Sequence, residues 1–447
     1  MAKINEHPSV MKFKEKNHEI RSSVQDKELD AEWLRSICIK AGADDAGFVE
    51  ITREEIASEK NDILSLLPAT QSLIGIACKI NRDSIRSPSR SLANTEFQQT
   101  SGHIMATSRK ISSILNEEGI RAVNVSGLFP MEMDRWPGKI WDISLKPLAI
   151  AAGLGRMGEH RMIIHSKFGA FMYLSAILID REVAEYSRPL DFNPCLDCKL
   201  CSATCPTGAI ASDGHFDFFS CITHNYREKL GGFSDWTENV VESKNAFDYR
   251  KKVSDSETVS MWQSLATGGS TKCDQCMAVC PAGDDVLGHF IQDRKGYLTE
   301  VVKPLQKKEE KIYVIPGSDA ENHVAKRFPH KTIRPIGNGL RPGSIMGFLG
   351  VLPRIFQRGQ SEGLNSIYHF TFTGNEKVKA TVTIKDKKIE VLQGHDGKPD
   401  LHVTADSMTW LKFLAKEKNI VWALMRRKVR MKGPIKLMLA FGKCFPS

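Results

Sequence analysis

The chain has 447 residues, of which 41% are hydrophobic and 26% are charged, and its formal net charge is +9. This composition is typical of a globular protein of two or three domains and argues against a disordered or fibrous chain. The N-terminal residues contain no apolar run of signal-peptide length, and no later run reaches the roughly 18 apolar residues of a membrane span. We therefore expect a cytoplasmic protein with reduced thiols and no transmembrane segment.

The first part of the chain alternates between helical and strand patterns. Residues 1–28 are polar, and we expect them to be loosely held. Helical patterns then alternate with short apolar runs, at 29–43, 46–51, 73–80 and 103–120. The run LIGIACKI (73–80) is apolar almost throughout, which is typical of a strand buried on both faces. Residues 29–190 are therefore predicted to form an α/β domain.

A glycine-rich turn follows the next predicted helix. In AIAAGLGRMGEH, Gly153, Gly155 and Gly158 come at the end of an Ala-rich helix, and FMYLSAILI (171–179) reads as a core strand. A dinucleotide-binding loop would follow a strand instead of a helix. The turn alone is therefore weak evidence for a nucleotide site.

The most specific motif is CLDCKLCSATCP. It places Cys195, Cys198, Cys201 and Cys205 in the C-x2-C-x2-C-x3-C-P order of bacterial-type ferredoxins, in which three thiolates hold one 4Fe-4S cluster and the fourth reaches to another. A second run, CDQCMAVCP, brings three more cysteines, and Cys221 can complete the set. The cross-over rule then predicts two clusters, held by Cys195, Cys198, Cys201 and Cys280, and by Cys205, Cys221, Cys273 and Cys276.

Two other uses of these cysteines have to be considered. Thiolates at two-residue spacing also bind zinc, but structural zinc sites rarely carry the third cysteine and the following proline. A disulfide framework would require a secreted chain. The remaining cysteines, Cys38, Cys78 and Cys444, are expected to be buried free thiols.

The segment between the two cysteine runs is longer than a ferredoxin needs. Its glycine ends and mixed charge predict a partly helical lid over residues 231–269. Several side chains near the motifs either face a cofactor or simply pack: His165, Tyr173, His224, Asn225 and Tyr226. A phenol such as Tyr226 can donate a proton to a reduced substrate, although most tyrosines in apolar surroundings only pack.

Together these motifs resemble the shared core of epoxyqueuosine reductases and corrinoid-dependent reductive dehalogenases. The resemblance covers about residues 30–300 and rests on AAGLGRMGEH, CLDCKLCSATCPTGAI, SCITHNYRE and CDQCMAVCP. It implies a flavin-reductase-like α/β domain with an inserted two-cluster module at 191–300. It also implies a base-off cobalamin near Gly153, Gly155 and Gly158, which receives electrons through the two clusters.

The chain departs from the family pattern at two places. The general-acid aspartate of epoxyqueuosine reductases lies in a V-D-x-x-P-x-x-E-R stretch that is not intact here. Asp142 is the nearest acid although out of register, with Glu132 and Asp134 upstream. Glu159 stands where the families usually have Lys or Arg. The helical-repeat tail that grips transfer RNA also has no counterpart, so no nucleic-acid partner is expected.

Residues 301–359 are predicted to connect this core to a further domain. Residues 301–343 are charged and carry five prolines from Pro304 to Pro342, which favours a linker lying over the surface. SIMGFLGVLPRIFQR (344–358) has apolar residues at helical spacing. This amphipathic helix either docks on the last domain or makes a peripheral membrane contact.

Residues 360–447 are predicted to form an α+β domain. Three runs alternate apolar and polar residues, with turns at Gly374-Asn375 and Asp386-Lys387, and predict a meander. Two helical segments follow, at 405–417 and 419–433. The helix HVTADSMTWLKFLAKE and VRMKGPIKLMLAF resemble a sterol-carrier-type lipid-binding domain, which implies an apolar tunnel near Trp410, Phe413, Leu414, Met438 and Phe441. A filled core without a tunnel is the alternative.

The interpretation as a whole is an iron-sulfur oxidoreductase fused to a lipid-binding module. We expect a cobalamin-dependent reductase of a small or apolar organic substrate, served by an electron donor such as ferredoxin or flavodoxin. A corrin-free 4Fe-4S electron-transfer protein serving a partner enzyme is one alternative. The other is a lipid-binding protein in which the clusters are structural.

Overall fold

The computed structural model describes residues 4–16, 28–125, 141–268, 270–418 and 425–446. Within these ranges, no helix has both the length and the apolar character that crossing a bilayer requires. In the polar N-terminal segment, the described residues form a short 3-10 helix (Ile4–Glu6) and α1 (Pro8–Lys16). Glu132 and Asp134, the upstream acids considered from the sequence, lie outside the described residues.

The first domain is built on a four-stranded sheet. Its elements are α2 (Ala31–Ala41), β1 (Asp45–Glu50), α3 (Lys60–Leu66), β2 (Ser72–Lys79), α4 (Arg82–Arg86), α5 (Arg90–Glu117), β3 (Ala122–Asn124), α6 (Leu145–Ala151), β4 (Arg156–Met157), β5 (Ile163–Ile164) and β6 (Met172–Ile179). The strand order is β1-β2-β6-β3, and each neighbouring pair is antiparallel. Strands β4 and β5 form a separate small pair.

Helices cover both faces of this sheet. Leu73 packs in a core with residues of α3 and α6, and Ile74 packs in a core with residues of α2 and α5. Both side chains are fully buried. The continuous apolar run of β2 is explained by this burial on two sides, which antiparallel strands allow when helices flank both faces.

The cysteine-rich part is helical. Its elements are α7 (Leu200–Thr204), α8 (Phe218–Asn225), α9 (Leu230–Glu242), α10 (Ala246–Lys252), α11 (Asp255–Thr267), α12 (Gln275–Ala278), α13 (Asp284–Gln292), α14 (Arg294–Tyr297), a π-helical turn (Leu298–Val302) and α15 (Lys303–Lys307). The insertion predicted to be partly helical consists of α9, α10 and α11. Ser254 begins α11 with a reciprocal capping box to Glu257.

The linker predicted for residues 301–343 is wrong. This segment folds into β7 (Lys311–Val314), α16 (Asp319–Arg327) and β8 (Thr332–Pro335), and the two strands pair in parallel. Ile312 and Val314 are fully buried against residues of α16. The prolines lie mainly at the ends of these elements. The linker-like composition of this segment therefore did not reveal its short buried strand.

The C-terminal domain contains a five-stranded sheet. Its elements are α17 (Ile345–Ile355), β9 (Ser366–Thr373), β10 (Lys379–Lys385), β11 (Lys388–Gln393), β12 (Leu401–Asp406), α18 (Ser407–Leu414), β13 (Val429–Lys432) and α19 (Ile435–Lys443). The order is β11-β10-β9-β12-β13, and β12 runs parallel to β9. The predicted meander is present as β9, β10 and β11.

The two helices predicted after this meander need correction. Ala405 and Asp406 belong to β12, and the Asp406 side chain caps α18 by accepting a hydrogen bond from the Thr409 amide. The predicted helix 419–433 is wrong at its end, because Val429–Lys432 is strand β13, paired with β12. In β13, Val429 is buried and Arg430 and Lys432 are exposed, and this pattern fits the two-residue period of a strand better than that of a helix. Residues 419–424 lie outside the described part.

Helix α17 docks on the C-terminal domain. Ile345, Phe348, Leu349 and Leu352 are buried in the same core as the inner face of the five-stranded sheet. The alternative that this helix contacts a membrane with its apolar face is therefore wrong. At the other end of the helix, Ile355 packs on the cysteine-rich part beside Phe219.

Candidate functional site

Four of the predicted ligands line one cavity. Cys195, Cys198, Cys201 and Cys280 share a space of about 310 Å³, measured out to bulk solvent, with Glu159, His160, Leu196, Lys199, Pro281 and Ala282. Because this volume includes open solvent, the donor set is the better guide to the bound group, and four cysteine thiolates are the ligands of a 4Fe-4S cluster. Burial raises the pKa of the Cys201 and Cys280 thiols to about 12. A bound iron cluster would have to supply the positive charge that keeps these thiolates ionised.

The loop around this cavity directs backbone amides at sulfur. The amide of Leu200 donates to Cys198 Sγ, and the amide of Ala282 donates to Cys280 Sγ. Asp197 and Lys199 adopt the left-handed conformation, with φ of 52° and 60°. Successive amides that point into one concave space form an anion-binding site, and hydrogen bonds to sulfur are a feature of iron-sulfur sites.

The other four predicted ligands form a second group. Cys205 follows α7, Cys221 lies in α8 and Cys276 lies in α12, and the three pack in one small apolar cluster that also includes Cys201 of the first set. The pKa of the Cys276 thiol is raised well above its usual value by burial and then by the neighbouring thiolates of Cys273, Cys221, Cys205 and Cys201. The cysteines near this centre therefore include all four of the second predicted set.

Asn225 joins two of the segments that carry these cysteines. Its side-chain oxygen accepts a hydrogen bond of 3.1 Å from the Cys273 amide, and its carbonyl accepts one of 3.0 Å from the Lys272 amide. Asn225 thus positions a ligand loop and does not face the cavity as a catalytic group. His224 has a packing role as well, because its ring stacks on Tyr313 and its Nδ1 accepts from the Tyr313 amide.

The two groups are connected through α7 and α12. On each of these segments the two cysteines are four residues apart, Cys201 with Cys205 and Cys276 with Cys280. Cys205 directly follows α7, and Cys280 lies two residues beyond the end of α12. Each segment therefore contributes one cysteine to each group, which is the arrangement that the cross-over rule requires.

A histidine and an ion pair complete the wall of the first cavity. The Lys199 ammonium pairs with Glu159 and lies 2.8 Å from an Asp197 oxygen. His160 is 5% exposed, and its Nε2 has no hydrogen-bond partner among the described residues. Burial, followed by the charge of Lys146, lowers the pKa of His160 to about 4, so the ring is neutral at physiological pH. The sequence did not single out His160, because one histidine beside a turn carries no pattern.

The glycine turn predicted to bind a corrin is explained by packing within the protein. A Cβ at Gly153 would lie 2.6 Å from the Arg188 carbonyl oxygen, and one at Gly155 would lie 2.5 Å from that of Ile164. A Cβ at Gly158 would lie 2.6 Å from the Ile164 side chain. None of these positions faces open space, so the glycines do not form a cradle that a corrin would fill. The structure gives no fit for this cofactor at the predicted residues.

The two predicted acids lie in different surroundings. Asp142 is partly buried at a bend two residues before Ser144, which begins α6. Tyr226 ends α8, and its pKa is raised by burial and then by the charges of Cys221 and Tyr173. The structure therefore brings Tyr226 close to the second cysteine group. No contact between Asp142 and either cysteine group is seen among the described residues.

Lys146 is a further polar residue near the second cysteine group, and the sequence did not indicate it. Its ammonium donates a 2.5 Å hydrogen bond to the Arg161 carbonyl. The residue is exposed, and the protein atoms around its ammonium lower its pKa by partial desolvation, against the opposing influence of Cys221 and Cys276. Lys146 thus lies between the glycine turn and the second cysteine group. His165 is structural by contrast, since its Nε2 lies 3.0 Å from Asp45.

The residues predicted to line a lipid tunnel lie in or beside a packed core. Trp410 and Phe441 are 1% and 4% exposed, and Phe413, Leu414 and Met438 are partly buried. The ring of Phe348, from α17, meets Trp410 edge-on with centroids 5.8 Å apart. Phe348 of the protein's own α17 therefore fills the space beside Trp410 in the predicted lipid site, while the indole Nε1 of Trp410 has no described partner.

Comparison with curated proteins gives relatives for the first part of the chain. An epoxyqueuosine reductase of Lactococcus garvieae is 25% identical over 153 residues, which are 34% of this chain and 35% of the relative. One of Shewanella oneidensis is 25% identical over 215 residues, 46% of this chain and 44% of the relative. One of Escherichia coli is 35% identical over 79 residues, 18% of this chain and 20% of the relative. The chain spans less than half the length of each.

Solved structures show similar neighbours. An epoxyqueuosine reductase with a tRNA-Tyr epoxyqueuosine-modified stem loop aligns with a TM-score of 0.36 at 18% identity, over 56% of this chain and 64% of that one. A catabolic reductive dehalogenase aligns with a TM-score of 0.38 at 14% identity, over 66% of this chain and 37% of that one. The curated relatives, as epoxyqueuosine reductases, stand against our expectation of no nucleic-acid partner, which we do not retain.

The C-terminal domain has its own match. Residues 355–446 match the model of the SCP-2 sterol transfer family. The predicted fusion, an epoxyqueuosine-reductase-like part followed by a sterol-carrier-type domain, is thus confirmed. The mixed α and β architecture is confirmed too, and the curated relatives of the first part are reductases.

Proposed function

We propose that the chain is an iron-sulfur reductase. Cys195, Cys198, Cys201 and Cys280 would hold one 4Fe-4S cluster, and Cys205, Cys221, Cys273 and Cys276 would hold the second. The observation that supports this proposal is the proximity of the cysteines: four line the first cavity, and Cys205, Cys221 and Cys276 pack together with Cys201. When bound, two such clusters would supply low-potential electrons one at a time.

The protein itself would hold the two clusters near each other and stabilise negative charge on their sulfur atoms. Cys201 and Cys205, like Cys276 and Cys280, are only four residues apart in the chain, so the two clusters would be close neighbours and an electron would pass directly between them. The amides of Leu200 and Ala282 stabilise negative charge on sulfur. His160 lines the first cavity, and its Nε2–H, which has no described partner, would donate to sulfur there. An external reductant of the ferredoxin or flavodoxin class would supply two electrons, and an acid of the chain would supply the proton.

The substrate is proposed as a small or apolar organic molecule that accepts two electrons and a proton. The C-terminal domain, which matches a sterol transfer family, would hold an apolar ligand beside the reductase part. Attachment to the same chain would raise the local concentration of that ligand to roughly millimolar. Cobalamin stays a prediction from the resemblance alone, and no step of this proposal passes through it.

The test is an anaerobic purification with single-cysteine variants. The full chain should contain about eight iron and eight sulfide ions. Cys221→Ser and Cys280→Ser should each lose one cluster, and Cys444→Ser, at a buried cysteine outside both groups, should keep both. Zinc in place of iron, or unchanged iron in both ligand variants, would refute the proposal. A corrin absorption band, read on the same sample, decides whether cobalamin is bound.

Turnover separates the proposal from its alternatives. The reduced protein should reduce an epoxide, an organic halide or a tRNA substrate, and each cysteine-ligand variant should lose that activity. Reversible reduction of both clusters without turnover of epoxide, halide or tRNA substrates would favour an electron carrier for a partner enzyme. Clusters that cannot be reduced, in a chain that still binds lipid, would favour a binding protein with structural clusters.

A further inference from the structure

Helix α19 has two apolar faces, and only one of them is covered. Leu437, Met438 and Phe441 pack into the core of the C-terminal domain. On the other side, Ile435 and Leu439 are 64% and 66% exposed. These two residues are four apart and therefore lie next to each other on the helix surface. A surface helix of a soluble protein normally carries polar residues on its outer face.

The chain around this outer face is strongly basic. Residues 425–446 contain seven Lys or Arg and no Asp or Glu. Lys436 and Lys443 are exposed on α19 itself, and Arg430 and Lys432 are exposed on the preceding strand β13. Within the described part of the chain, no acidic side chain forms an ion pair with these four. The two exposed aliphatic residues thus lie in a segment with four exposed cations that form no ion pair among the described residues.

We propose that the outer face of α19, together with β13, docks on an anionic lipid bilayer. Aliphatic side chains enter the boundary between headgroups and acyl chains, while Lys and Arg extend to the anionic headgroups. A nucleic acid fits this surface less well, because nonspecific RNA or DNA surfaces use aromatic rings for base stacking, and no exposed large aromatic residue is found between 425 and 446.

The position of α19 gives this docking a consequence. Its inner residue Phe441 lies against Tyr368 and Phe370, with ring centroids 5.0 and 5.5 Å away. One helix therefore separates the proposed membrane surface from the core proposed to receive an apolar ligand. Transfer of a lipid from the membrane into this core rests on the proposed function, whereas docking of α19 on the membrane does not require it.

The experiment measures binding of the full chain to vesicles by co-sedimentation. Binding should be strong to vesicles that contain phosphatidylglycerol, weak to pure phosphatidylcholine and reduced by salt. The double variant Ile435→Gln/Leu439→Gln should weaken binding about tenfold or more. Lys436→Gln/Lys443→Gln should cost about fivefold for each charge on anionic vesicles. Leu265→Gln is the matched control, at a leucine of α11 that is 60% exposed.

Several results would overturn the proposal. Equal binding to neutral vesicles would remove the anionic requirement. Unchanged binding in Ile435→Gln/Leu439→Gln, with a native circular dichroism spectrum, would exclude this face. Binding of transfer RNA that only the lysine variants weaken, without vesicle binding, would assign the surface to nucleic acid. Since clusters are assayed separately by iron content, failure of docking is distinguishable from failure of the proposed reductase.

Discussion

The backbone amide of Met162 donates a hydrogen bond of 3.1 Å to Nδ1 of His160. The neutral imidazole must then carry its proton on Nε2, the atom that has no partner and belongs to the wall of the first cysteine cavity. A buried donor left unpaired is costly, by about 1 to 3 kcal/mol. Cluster sulfur in this cavity is the acceptor that would remove the cost.

His160→Phe should therefore lower the reduction potential of the cluster held by Cys280. A hydrogen bond to sulfur favours the more negative reduced state, and a difference of about 1 kcal/mol between the redox states corresponds to roughly 40 mV for one electron. Redox titration followed by electron paramagnetic resonance measures this shift at full iron content. His402→Phe, in the C-terminal domain, is the control, and equal potentials in all three proteins would contradict the assignment.

The proton donor is tested with Asp142→Asn and Tyr226→Phe. Loss of a general acid lowers turnover by about 10²- to 10⁴-fold. We expect Asp142→Asn to lose turnover and to keep both clusters. Asp191→Asn, at an exposed position, should be active. Full activity of Asp142→Asn together with loss in Tyr226→Phe would assign the role to the phenol beside Cys221.

A buried ion pair should hold the helical insertion to the segment after β8. Arg227 and Asp235 are 3% and 9% exposed, their charged atoms are 3.0 Å apart, and the Asp235 carboxylate also accepts a 2.7 Å hydrogen bond from the Gly337 amide. Asp235→Ala leaves the arginine unpaired and should cost about 3 to 5 kcal/mol.

The measurement is urea unfolding of the full chain without oxygen. The control is Arg250→Ala, because Arg250 pairs with Asp255 at the surface, where the two side chains are 62% and 77% exposed. An exposed pair contributes about 0 to 1 kcal/mol. Equal losses in the two variants would mean that burial of the Arg227 pair does not determine its contribution.

Phe348→Ala tests whether α17 occupies the lipid site. Removing this ring leaves an apolar cavity beside Trp410 and should destabilise the domain by about 3 to 5 kcal/mol. An apolar cavity stays dry and accepts apolar ligands. A fluorescent fatty-acid probe should therefore bind the variant more tightly than the parent. Met346→Ala, on the same helix at a side chain that is 45% exposed, should change neither property, and an unchanged probe affinity in Phe348→Ala would make α17 a purely structural part of the core.

Local patterns predicted what depends on near neighbours in the chain. The spacing of Cys195, Cys198 and Cys201 reflects a short loop, and the apolar run of β2 reflects burial on both faces. The turn at Asp386-Lys387 was predicted correctly for the same reason, since its two residues with positive φ follow directly from the chain reversal. In each case the physical cause acts within a few residues.

The tertiary structure decided what depends on contacts between distant segments. Pairing of β13 with β12 overrides a helical pattern, because backbone groups at Val429–Lys432 find partners across the sheet. Burial of Ile312 and Val314 against α16 turns an apparent linker into a folded unit. His160 gains its position only when β4 and β5 return beside the cysteine loop. The sequence therefore determined which residues could act as ligands, and the long-range packing decided which of them share a cavity, because that proximity is set by the fold and by no local spacing.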